Sequence, residues 1–149
     1  MISFTEILPE NLEIIEEIAV LENEIFQDPW SRKEVLSTVE QKHSFCVAAQ
    51  ENNRVVGYFL CYYVLDECEI ARIATKKEMR RQGIGQQLFE EMLSGCKDRG
   101  LEKILLDVRA GNKPAISFYQ KNGFTVDGLR KAYYAGENPE DAVLMSRDV

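Results

Sequence analysis

The chain has 149 residues, 45% of them hydrophobic, which suits one compact domain (1–149) with a substantial core. Its 25 acidic residues outnumber its 18 basic ones and give a formal net charge of −7. That balance excludes bare nucleic acid as an expected ligand, because sequence-independent affinity comes from neutralising phosphates with Lys and Arg, and it suits basic partners or simply a well-solvated surface.

Ile2–Ile7 reads as a short strand. In Leu12–Phe26 the apolar residues Ile14, Ile15, Ile18, Leu21, Ile25 and Phe26 fall on one helical stripe. Ser31-Arg32-Lys33-Glu34 is a capping box, so a second helix starts at Ser31 and leaves Pro29 and Trp30 in the connector. Ser44–Gln50 and Arg54–Leu65 read as strands around an Glu51-Asn52-Asn53 turn, and Asp66 and Glu67 mark a turn before a Glu69–Thr75 strand, giving an antiparallel meander. Gly85–Arg99 carries Leu88, Phe89, Met92, Leu93 and Cys96 on a helical stripe, with Gly100 as its stop. Lys103–Val108 is a strand. Pro114 suits the first turn of the next helix, whose buried side is Ala115, Phe118 and Tyr119 and which ends near Asn122-Gly123. Phe124–Leu129 and Ala142–Asp148 read as a last pair of strands joined by a long polar loop. The pattern predicts an α+β fold with a mixed, mostly antiparallel sheet and flanking helices.

No linker, low-complexity tract or internal repeat divides the sequence. Met1–Glu10 lacks a basic start and a long apolar run, so no signal peptide is expected, and no stretch approaches the ~18 apolar residues of a bilayer span. Cys46, Cys61, Cys68 and Cys96 lie in apolar segments without a C-x-x-C spacing, and His43 is the single histidine. That set predicts no metal site and no histidine-dependent hydrolase; the cysteines read as core residues of a protein in a reducing, cytoplasmic compartment.

Arg80-Arg81-Gln82-Gly83-Ile84-Gly85 stands between an apolar strand and an amphipathic helix. Glycines there leave backbone N–H groups unshielded where a helix begins, and two arginines add full charges, so the segment reads as a pyrophosphate cradle. It is not a dinucleotide fingerprint, whose third glycine would replace Leu88, and it has no P-loop Gly-Lys-Ser/Thr ending. Its plainer reading is a tight turn with solvated arginines.

Further motifs accompany it: Leu106-Asp107-Val108-Arg109-Ala110-Gly111-Asn112, then Ala115-Ile116, Phe118-Tyr119 and Gly123-Phe124. Pro29-Trp30-Ser31 lies before them, and Arg130-Lys131-Ala132-Tyr133-Tyr134 and Glu140-Asp141-Ala142 after them. Together with Arg80-x-x-Gly83-x-Gly85 they resemble the GNAT N-acetyltransferases, and among these the protein N-terminal acetyltransferases of the bacterial ribosomal-protein-alanine type. The resemblance implies a sheet whose two central strands splay to admit acetyl-CoA as co-substrate. It implies binding by the main chain of Ile73, Ala74 and Thr75, by Arg80, Arg81, Gln82, Gly83, Ile84, Gly85 and Gln86, and by Asn112 along the pantetheine arm. Asn112 also suits a helix cap. The implied reaction is acetyl transfer to the N-terminal alanine amine of a ribosomal protein. An acetyltransferase for small amines and a non-catalytic acyl-CoA sensor are the alternatives.

Asp107, near the end of an apolar strand, is the candidate base, since a carboxylate there is costly unless paired or working. The family block usually has Glu at this place, one methylene longer, so a water relay is expected; the alternative is an ion pair with Arg109. Glu69 is the second candidate base and a substrate contact. Tyr119 matches the family's general acid for the departing thiolate; its alternative is a core aromatic. Trp30, Tyr133 and Tyr134 are expected to wall the peptide site or to pack ordinarily. Glu140 and Asp141 either meet a basic substrate tail or solvate their loop.

Overall fold

In the computed structural model, which describes residues 1–136 and 138–149, strand β1 (Ser3–Glu6) is followed by helices α1 (Leu12–Ile25) and α2 (Arg32–Glu40). Strands β2 (Ser44–Glu51), β3 (Arg54–Val64) and β4 (Glu67–Thr75) form the meander. A single 3-10 turn (Lys77–Met79) then leads into helix α3 (Ile84–Asp98). Strand β5 (Lys103–Arg109), helix α4 (Lys113–Lys121) and strands β6 (Thr125–Tyr134) and β7 (Glu140–Asp148) complete the chain. One seven-stranded sheet results, in the order β1-β2-β3-β4-β5-β7-β6.

Apolar residues on both faces of β2 and β3 need a layer on each side. On one face Ile15, Ile18, Leu21, Val35 and Val39 of α1 and α2 pack against Cys46, Ala48, Tyr58 and Leu60. On the other, Leu88, Phe89, Met92 and Cys96 of α3 pack against Val47, Phe59, Cys61, Cys68 and Ile104. The α1–α2 connector is fixed where the sequence placed it: the Ser31 hydroxyl accepts from Glu34 N at 3.2 Å, and the Glu34 carboxylate accepts from Ser31 N at 3.1 Å.

β4 and β5 are parallel and stay paired over only Glu67↔Lys103, Cys68↔Ile104 and Glu69↔Leu105. On its other edge β4 skips a residue, because Cys61 pairs with Ile70 while Leu60 pairs with Arg72. This bulge at Ala71 falls just past the last β4–β5 pair. Bulges bend their strand and raise its twist, so β4 turns away from β5 and a wedge opens between them. The splay expected from the resemblance has this local cause.

Three details differ from the sequence expectations. The β3–β4 hairpin tip is Leu65-Asp66, with Leu65 at φ 56°, and not Asp66-Glu67. On α4 only Tyr119 is buried; Ala115 and Phe118 are half-buried because their side borders a cleft. Most clearly, β6 does not stop at Leu129 but runs to Tyr134, and β7 begins at Glu140. An edge strand exposed on both faces takes polar residues and reads as loop. Its register shifts between Arg130 and Tyr134, where Ala132 has φ 52° and its N–H donates to the Asp141 carboxylate at 2.9 Å.

Candidate active site

The segment read as an anion cradle leads into the start of α3. Arg81 (φ 66°) and Gly83 (φ 80°) both adopt left-handed backbone, which makes a concave run of N–H groups of the kind that holds anions. Gly83 is the N-cap of α3, and no side chain caps that helix, so its first-turn N–H groups and the positive end of its dipole face outward. Arg80 and Arg81 are exposed beside it, Arg80 donating to the Thr75 carbonyl at 3.3 Å. Gln82 is exposed as well, whereas Ile84 is buried and anchors the turn to the core. Gln86 reaches across to Asn122 at 2.8 Å and ties the start of α3 to the end of α4.

From the cradle a cleft of about 890 Å³ runs into the wedge, floored by Ile73, Ala74 and Thr75 and walled on the far side by Asn112, Phe118 and Tyr119. The edge of β4 that faces it has no β5 partner beyond Glu69, so the main chain of these residues is available to a ligand. The volume, the uncapped helix end and the unpaired strand edge together fit a long, anionic, amide-bearing molecule such as acetyl-CoA. Asn112 does cap α4, accepting from Ala115 N at 3.3 Å, and it also borders the cleft.

A second cavity, about 140 Å³, opens on the other face of the wedge and is lined by Phe26, Asp28, Arg72, Asp107, Arg109 and Tyr134 among others. The two cavities meet at Ile73, Asn112 and Tyr119. Tyr119 is buried with its ring 5.5 Å from that of Phe124, and burial pushes its phenol above the ordinary tyrosine range, so it stays protonated. Asp107 faces the smaller cavity. The ion pair with Arg109 does not form; Arg109 instead takes Asp28 and Glu140, each at 3.3 Å, and lies 4.2 Å from the Tyr134 ring. Burial raises the Tyr134 phenol to about 12, with the Asp107 charge adding to it and Arg109 opposing. Glu69 is half-buried and its carboxyl is raised by burial first, then by the charge of Asp107 and Glu67. Asp107 thus lies within electrostatic reach of both.

Trp30, Glu69 and Tyr133 do not line either cavity. Trp30 is half-buried at the start of α2, Glu69 stands at the crotch where β4 and β5 part, and Tyr133 stacks edge-on against Tyr134 at 5.1 Å. Glu140 pairs with Arg109 and accepts from Gly111 N at 2.7 Å, so it braces the loop after β5.

Sequence reasoning missed a buried network beneath the smaller cavity. Glu22 of α1 is fully buried and receives Arg72 Nη2 at 2.6 Å, the Tyr58 hydroxyl, and Trp30 N at 2.9 Å. The Arg72 guanidinium also lies 4.2 Å from the centre of the Phe26 ring. An arginine in the apolar run Ile70-Ala71-Arg72-Ile73 was the available signal, since a charge in a half-buried strand requires a partner.

Known proteins resemble this chain in sequence and in fold. The sequence pattern of the acetyltransferase (GNAT) family matches residues 15–124. The [ribosomal protein bS18]-alanine N-acetyltransferase of Escherichia coli (strain K12) is 32% identical over 119 residues, covering 79% of this chain and 80% of that protein. N-alpha-acetyltransferase 30 of Schizosaccharomyces pombe is 30% identical over 123 residues, covering 79% and 82%. The crystal structure of the ribosomal-protein-S18-alanine N-acetyltransferase from Escherichia coli superposes with a TM-score of 0.91 at 27% identity, over 100% of this chain and 94% of that one. With the cradle, the splayed strands and the match across most of its length, the chain belongs to the acetyltransferase (GNAT) family.

Proposed function

We propose that the protein transfers the acetyl group of acetyl-CoA to the N-terminal amine of a protein, and that its substrate is the alanine terminus of a ribosomal protein, as the names of its relatives indicate. The observation that carries this reading is the meeting of the two cavities at Tyr119: a long cleft with an anion cradle on one side and a small carboxylate-bearing pocket on the other.

Acetyl-CoA supplies the acetyl thioester. The chain supplies orientation, and holding both reactants in adjoining grooves replaces a bimolecular encounter with an arranged one. The unpaired main chain of Ile73 and Ala74 offers a hydrogen-bond donor to the thioester carbonyl. An N-terminal ammonium has a pKa near 8, so a modest base suffices; Asp107 takes its proton through one water, its side chain being a methylene shorter than the family's Glu. The amine nitrogen bonds to the carbonyl carbon, the C–S bond breaks, the Tyr119 hydroxyl donates its proton to the departing sulfur, and the second proton leaving the nitrogen restores the phenol. All four cysteines are buried with burial contributing to thiol pKa values raised above the ordinary range, Cys46 to about 11, so transfer is direct and not by way of an acyl-cysteine. Acetyl-CoA is a co-substrate, and the proposed setting is the cytoplasm. Among the described residues no helix is long and apolar enough to cross a membrane.

Mass spectrometry of N-terminal peptides incubated with acetyl-CoA tests the reading. Acetylation at the α-amine of Ala-starting peptides is expected. Faster turnover of polyamines or other small amines would replace it with the small-amine reading, and acetyl-CoA binding without turnover on any amine would replace it with a sensor.

A further inference from the structure

Between α1 and α2 the chain crosses the mouth of the wedge, and there Asp28 is gripped from both banks. Its main-chain carbonyl accepts from Arg72 Nη2 at 3.3 Å, and Arg72 stands on β4. Its carboxylate meets Arg109 Nη2 at 3.3 Å, and Arg109 stands on β5. Both arginines lie beyond Glu69↔Leu105, the last pair joining those strands. Each is anchored elsewhere: Arg72 by the buried Glu22 and the Phe26 ring, Arg109 by Glu140 and the Tyr134 ring. Their side chains are only 13% and 22% exposed, whereas that of Asp28 is 53% exposed. Asp28 and the two arginines line the smaller cavity together with Asp107.

From this arrangement we infer that Asp28 is a positioning residue for the acceptor amine, a clasp that spans the splayed strands and fixes the loop walling the amine pocket. An exposed ion pair contributes little to global stability, so the consequence is local. Where β4 and β5 have stopped pairing, the two arginines and the residue between them are what ties one bank to the other through this loop. Without the Arg109 contact the loop is held to β4 alone, and the pocket loses its fixed width. The kinetic part of this inference rests on acetyl transfer to an N-terminal amine; the structural part does not.

Trp30 is the chain's only tryptophan and sits in the same connector, so its fluorescence reports the loop without reference to activity. Asp28→Asn should raise KM for an Ala-starting peptide about three- to fivefold, the scale of one partly exposed ion pair, with the loss falling on KM rather than kcat. Acrylamide quenching of Trp30 should rise in the same variant, and Asp28→Glu should restore both readouts. In an Arg109→Gln background the Asn change should add nothing further. Unchanged peptide KM and unchanged Trp30 quenching in Asp28→Asn would overturn the clasp, as would a lowered melting temperature with neither readout moved. If the wild type acetylates no peptide, the proposed function fails, and Trp30 quenching alone still decides the clasp.

Discussion

Tyr119 stands where the two cavities meet and Asp107 lines the smaller one, and opposite tasks are proposed for them. Burial keeps the Tyr119 phenol protonated, which makes it a donor but a weak acid, so the role proposed for it is a hydrogen bond as charge builds on sulfur. Tyr119→Phe should lower turnover about tenfold or more with little change in acetyl-CoA affinity, and steady-state kinetics within about twofold of wild type, a barrier change of only ~0.4 kcal/mol, would leave it a core ring. Asp107→Asn should lower turnover by about 10²-fold near neutral pH, and a pH–rate profile should recover part of the loss at higher pH, where the amine arrives neutral. Glu69 gives a stability signature instead. Its carboxyl is raised above the ordinary 4.5 in the folded state, so the stability it contributes is present below the unfolded pKa and lost as pH rises through the folded one. Glu69→Gln should therefore melt higher than wild type at pH 7, with the gap closing as pH falls toward the ordinary carboxylate range. That Asp107 and Tyr119 come together at one pocket was legible in the sequence, because they sit in a contiguous block around Asn112. Glu22 was not, because its partner Arg72 lies 50 residues away and a glutamate beside Leu21 on a helix reads as a solvated position.

Elements were legible to the extent that periodicity marks them. The α1, α3 and α4 stripes and the capping box of α2 specify helices from local chemistry alone, and the β2–β3–β4 meander follows from its turns. The second half of β6 has no such mark: its polar residues obey the solvent, and only pairing with β7 makes them a strand. A test of packing against propensity lies in α3. Gly95 is in the last turn of that helix, where alanine is intrinsically better by up to about 1 kcal/mol. A Cβ there would stand 2.0 Å from Phe45 Cε2, and Phe45 is wedged edge-on against Phe59 at 5.1 Å with the Arg99 guanidinium 3.9 Å from its ring centre. Overpacking should win, and Gly95→Ala should destabilise by about 1–3 kcal/mol in a urea titration; a stabilised variant would mean that Phe45 can move aside.

At the scale of the molecule, ligand and fold are linked by mass action. Acetyl-CoA at a hundredfold excess over its Kd should add about 2.7 kcal/mol of stability, visible as a rise in Tm of several degrees. Gly85→Val should abolish most of that rise without unfolding the protein, because its Cβ would meet Thr75 Oγ1 at an ordinary 3.5 Å while its branches crowd the cradle. The sheet itself carries a further consequence. Strands β1–β4 come from one half of the sequence and β5, β7 and β6 from the other, and they are stitched along three residue pairs. Such a sheet amounts to two leaves on a short spine, and more angular freedom is expected of it than of a fully paired seven-stranded sheet. A molecule lying between the leaves takes that freedom away. Amide hydrogen exchange should therefore slow on both sides of the spine when acetyl-CoA binds, around Cys68 and Ile104 alike, although neither residue borders the cleft.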